Sequence, residues 1–125
     1  MNKPSIIIII ASSLDGRIAF PYGGGSHIGS NADKRILDQN LSLVDATLFG
    51  LGTLEAHQST YLIKNHCQNG EVKLSTKQPI SIVASNRRKF NNDWLYFKQP
   101  IKRWLISSKE IDQSFKKSFD REIIF

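Results

Sequence analysis

The residues best suited to chemistry in this chain stand where apolar runs end. Five isoleucines at 6–10 empty into Ser12-Ser13-Leu14-Asp15-Gly16-Arg17-Ile18-Ala19, and a glycine cluster, Gly23-Gly24-Gly25-Ser26, follows. The pattern recurs at Asp45-Ala46-Thr47-Leu48-Phe49-Gly50-Leu51-Gly52-Thr53. Gly50 and Gly52 carry no Cβ, so their N–H groups can approach a phosphate closely, and the Thr53 hydroxyl can add a donor. A dinucleotide-binding fingerprint needs a third glycine where Glu55 stands, which leaves a tight structural turn as the other reading.

Three successive cations follow another apolar run at Ser85-Asn86-Arg87-Arg88-Lys89. They could clamp a phosphate such as the 2′-phosphate that distinguishes NADP from NAD, or form an exposed basic loop. Asp15-Gly16 is first a turn signal, with a catalytic Asp15 the lesser alternative. His27, in the glycine-rich stretch, could stack on a ligand ring or face solvent. Cys67, His66 and His57 show no spacing of a zinc site, and Cys67, the single cysteine, is read as a free thiol.

These residues need elements to position them. Residues 5–11 are β-branched without polar alternation, as in a strand covered on both faces, and are expected at the centre of a sheet. Ser30 with Asp33 three residues later predicts an N-cap, and Ile36, Leu37, Leu41 and Val44 predict a helix of about four turns behind it. Strands are expected at 46–49, 79–84 and 103–106, with a helical turn at 53–56 and a fifth strand at 123–125. Asn69-Gly70 predicts a turn inside a mobile polar loop between 58 and 78, with short hairpin arms an option. Ile111, Phe115 and Phe119, four apart, predict a helix that lays one apolar stripe on the sheet.

Alternating strands and helices indicate an α/β fold with a mostly parallel sheet, whose ligands bind at the carboxyl ends of strands. That expectation sets residues 11–16, 50–53, 85–88 and 107–109 along one rim. The length of 125 residues and 40% hydrophobic content suit one domain spanning 1–125. No segment approaches the roughly 20 apolar residues of a membrane helix, and no leader is recognisable, so a cytoplasmic, non-membrane protein is expected. The net charge of +6 favours anionic partners, nucleic acid or phosphorylated small molecules alike.

In order and spacing, Ser13 to Ala19, Gly23 to Ser30, Asp45 to Thr53, the strand ending at Ser85 and Arg103-Trp104-Leu105-Ile106-Ser107 resemble the reductase domain of riboflavin biosynthesis. That family shares the dihydrofolate-reductase-like fold. The resemblance implies hydride transfer from NADPH to a ribosylaminopyrimidine phosphate, giving the ribitylamino product, in a homodimer that takes a small-molecule substrate and no nucleic acid. It places Ala11, His27, Thr53 and Ser85 at the cofactor, and Gly25 and Lys64 near the substrate; Gly50 and Gly52, by their amides, and Arg87 and Arg88, by their charge, are the cofactor-binding candidates read from the residues themselves. It assigns no catalytic side chain and no metal.

Three departures bear on this. Leu41 stands where the family pattern carries a substrate-binding arginine, and His57 where it carries an aspartate; an aliphatic side chain offers an anion no donor. The family's strand ending in Gly-Gly, with the helix that takes the cofactor diphosphate, has no counterpart before Phe125, so the chain is expected to be the N-terminal portion of a longer domain. A non-catalytic relative of the same fold is the first rival reading, and a basic nucleic-acid-binding domain the second. The cations Lys34, Arg35, Lys64, Arg87, Arg88, Lys98, Arg103 and Lys116 form no nucleic-acid motif.

Overall fold

The computed structural model describes residues 3–22, 29–87 and 89–125. Helix α1 spans Asn31–Ser42, β1 Ala46–Gly50 and α2 Leu51–His57. A hairpin of β2 (Lys64–His66) and β3 (Val72–Leu74) follows, then β4 (Ile80–Ala84), β5 (Arg103–Ser107) and β6 (Arg121–Ile124). Two 3-10 helices, Leu95–Lys98 and Gln113–Ser118, lie in the connections.

The four longer strands form one sheet in the order β1-β4-β5-β6, every pair parallel. This is the α/β sheet expected, and its order explains its core. The order steps in one direction, and right-handed crossovers that step one way all lie on one face. Leu54 of α2, Phe90, Trp94 and Tyr96 before β5, and Ile111, Phe115 and Phe119 before β6 accordingly join a single cluster over Val83 and Leu105. Phe90 is its hub, meeting Phe97, Phe115 and Phe119 edge to face. Tyr96 is fully buried there, and its hydroxyl finds the Ser81 hydroxyl at 3.1 Å. Across the sheet Leu48 is exposed, and Ile82, Trp104, Ile106 and Ile123 are only half-buried.

Local signals held in several places. Ser30 is the N-cap of α1, its hydroxyl accepting from the Asp33 N–H. The Asn69-Gly70 signal closes the antiparallel β2–β3 hairpin, where Gly70 has φ +83°. The 58–78 segment is thus partly a hairpin.

Two expectations fail. Residues 5–11 form no strand and enter no sheet, and the five isoleucines at 6–10 are 54–79% exposed. An all-apolar β-branched run has strand propensity, but a central strand also needs neighbours on both edges, and the described sheet grows by single steps away from β1 without leaving such a slot. The stripe Ile111, Phe115, Phe119 lies in the core as expected, yet on a 3-10 helix of six residues flanked by extended chain. Asp112 caps it by accepting from the Ser114 N–H.

Candidate functional site

Parallel register aligns the carboxyl ends of the strands. Gly50 is level with Ala84, and Ala84 with Ile106, so Gly50, Ser85 and Ser107 stand along one rim. The tips are tied by side chains. Asn86 Oδ1 accepts from the Ser108 N–H and Ser108 hydroxyl, both at 2.9 Å. Ser85 Oγ accepts from the Arg87 N–H at 3.0 Å. The Arg87 guanidinium turns onto Glu55 of α2 at 2.5 Å. Hence the basic loop after β4 is tethered to the helix that opens at Leu51, and Glu55, which spoils the glycine fingerprint, has a structural use.

A Cβ built on Gly50 or Gly52 would meet nothing within 4 Å. Packing therefore does not require those glycines, and open space lies in front of them. Thr53 is exposed beside that space. Two features qualify the fit to a nicotinamide dinucleotide: Arg87 already has a carboxylate partner, and the described strand order never reverses, so the crevice of a topological switch point is not formed between described strands.

The other candidates are elsewhere. Ala11 is exposed in the segment outside the sheet, so it is not brought to the rim. Asp15 lies in a local turn, where the Ser13 hydroxyl, chiefly, and the Arg17 guanidinium hold its carboxyl below the ordinary range. Gly16 has φ +79° in that turn and its N–H donates to the Ser13 carbonyl. Gly25, His27 and Arg88 lie outside the described residues. His57 ends α2 and is exposed. Lys64 begins β2, in a second constellation.

This constellation was not expected. Asn31, Lys34, Arg35 and Asp38 line one side of α1, and Tyr61, Lys64, His66 and Val72 face them across a cleft of about 330 Å³. Asp38 is 5% exposed. One carboxylate oxygen accepts from the Lys64 N–H, and the other meets His66 Nε2, each at 3.0 Å. Burial alone would push the Asp38 carboxyl up, but the Lys64 amide, the His66 ring and the Tyr61 hydroxyl together hold it below the ordinary carboxylate range. Burial, and then the facing Asp38, push the Tyr61 hydroxyl up to about 12. Since both strands of the hairpin are exposed throughout, these polar contacts tie it to α1. The signal available in the sequence was the i, i+3, i+4, i+7 spacing of Asn31, Lys34, Arg35 and Asp38, which puts them on one helix face. Their partners across the cleft, 26 and 28 residues beyond Asp38, left no local trace.

No helix among the described residues is long and apolar enough to cross a membrane. No curated protein matches the chain. Residues 4–124 match the family model of the RibD C-terminal domain. Because that match covers nearly the whole chain and the parallel α/β sheet agrees with it, the protein belongs to the RibD C-terminal domain family, a riboflavin-biosynthesis reductase-like domain of the dihydrofolate-reductase-like fold.

Proposed function

We propose that the chain serves an NADPH-dependent reduction of a ribosylaminopyrimidine phosphate to its ribitylamino form. The single observation that carries the reading is the family match, which spans the rim where Gly50, Ser85 and Arg87 stand together. When bound, the nicotinamide supplies the hydride; the protein supplies binding and orientation. The amides at Gly50 and Gly52 and the Thr53 hydroxyl would bind the dinucleotide, with Ser85 beside them. Arg87 and Arg88 would read its 2′-phosphate, His27 would pack on it, and Gly25 and Lys64 would contact substrate. Cytoplasmic location and a homodimer complete the proposal; the half-open apolar sheet face is compatible with a partner copy.

Titration with NADPH, NADH and short duplex DNA, followed by cofactor fluorescence and DNA anisotropy, tests it. NADPH is expected to bind more tightly than NADH, and DNA weakly. Replacing both arginines (Arg87→Ala with Arg88→Ala) should weaken NADPH about tenfold while leaving NADH nearly unchanged, as expected for lost charge-assisted hydrogen bonds. Equal losses for the two cofactors would remove the 2′-phosphate role, and DNA binding without NADPH binding would overturn the reading. The departures at Leu41 and His57 favour one second reading, a relative that binds without turnover; NADPH binding with no oxidation in the presence of substrate would establish it.

A further inference from the structure

Arg87 stands at the rim with its charge already engaged. Its backbone N–H is held by Ser85 Oγ at 3.0 Å, while its guanidinium Nη1 meets Glu55 Oε1 at 2.5 Å. The backbone of the loop is therefore set by Ser85, and only the Arg87 side chain has to turn for the ion pair to open. Both side chains are partly covered, 43% exposed for Arg87 and 41% for Glu55, so an anion in solution reaches the pair. Glu55 has a fixed support. Leu54 beside it is fully buried in the core, and the carbonyl of Gln58, the residue that caps α2, accepts from the Tyr96 N–H at 2.9 Å. The carboxylate is thus held two residues beyond the exposed Thr53, at the helix that opens beside Gly50 and Gly52.

We propose that Glu55 is a positioning residue that sets cofactor selectivity: it draws the Arg87 guanidinium onto α2 and competes with a 2′-phosphate for it, which narrows the preference for NADPH over NADH. The proposal rests on the reading of Arg87 as the partner of the 2′-phosphate, and what it adds is the opposing role of Glu55. A carboxylate and a phosphate are alternative acceptors for one guanidinium, and a phosphate engages its fork at two points where Glu55 meets one nitrogen. An ion pair this exposed is weakly held, so a phosphate displaces Glu55 at a small cost rather than being shut out. NADH carries no 2′-phosphate and is indifferent to the exchange.

The ratio of NADPH to NADH affinity, from cofactor fluorescence titrations at low salt, tests this in Glu55→Gln, in Arg87→Ala and in the two combined. Neither side chain belongs to the core, and a ratio cancels any loss of folded protein common to both titrations. Glu55→Gln keeps the size of the side chain and removes its charge, so the ratio should rise about twofold to fivefold, the release of one exposed ion pair, through tighter NADPH with NADH nearly unchanged. In the Arg87→Ala background the same substitution should leave the ratio nearly where it was, because Glu55 acts through Arg87. An unchanged or lowered ratio in Glu55→Gln, with both cofactors still bound, overturns this proposal alone. So does an equal rise in the Arg87→Ala background, which assigns the effect to general charge. Failure of the unmodified protein to bind either dinucleotide overturns the reductase reading, and the role of Glu55 falls with it.

Discussion

Gln78 and Gln99 each do the work of a short strand. The Gln99 side chain accepts from the Thr60 N–H at 2.9 Å and donates to the Thr60 carbonyl at 2.7 Å. Gln78 makes the same pair with both backbone groups of Ile63 at 2.9 and 3.0 Å. A side-chain amide presents one donor and one acceptor side by side, as a peptide group does, and so pairs with the backbone of Thr60, and with that of Ile63, whose carbonyl also accepts from the Ser75 N–H at the end of the hairpin. Gln99→Leu keeps much of the volume but strands both Thr60 groups, and should cost about 2 kcal/mol of unfolding free energy, read as a lower urea midpoint with unchanged m-value. A midpoint within error of the parent would show that water replaces the amide at no cost. Nothing local marks these glutamines, because their partners are 39 and 15 residues away.

At the scale of elements, the stretch between β5 and β6 separates what periodicity determines from what it does not. Four-residue spacing correctly selects Ile111, Phe115 and Phe119 as core residues, all three at or below 9% exposure. It does not determine the helix type. A short link that must leave β5, cap on Asp112 and re-enter as β6 at Arg121 satisfies its backbone with tighter turns, and ring packing on Phe90 replaces helical hydrogen bonding as the source of order. Phe119→Ala should therefore destabilise by about 3–5 kcal/mol, as an aromatic deleted from a packed core does, while helix content by circular dichroism stays nearly constant. A large loss of helical signal with folding retained would mean that the segment is a longer helix in solution.

For the molecule as a whole, a one-directional strand order means that one face of the sheet receives every crossover while the other carries exposed Leu48 and half-buried Ile82, Ile106 and Ile123. Parallel sheets are ordinarily covered on both faces. The exposed isoleucines at 6–10 add to the same surplus of apolar surface. If these isoleucines contribute no packing, Ile8→Lys combined with Ile10→Lys should shift thermal stability by no more than about 0.5 kcal/mol, and should lower binding of a hydrophobic dye. A loss of several kcal/mol would instead return the segment to the interior of a sheet, as its composition suggests.

The sequence by itself determined the parallel α/β class, β1, β4 and β5, the Ser30 cap, the Asn69-Gly70 turn and the rim that gathers Gly50, Ser85 and Ser107. All of these follow from local torsional preference and from apolar runs read over a few residues. Tertiary structure alone decided that the isoleucine run lies outside the sheet, that Arg87 turns onto Glu55, and that Asp38, Lys64 and His66 meet across a cleft. Edge pairing, ion pairing and the burial of a carboxylate depend on which distant segments arrive beside a residue, and spacing along the chain carries no record of that.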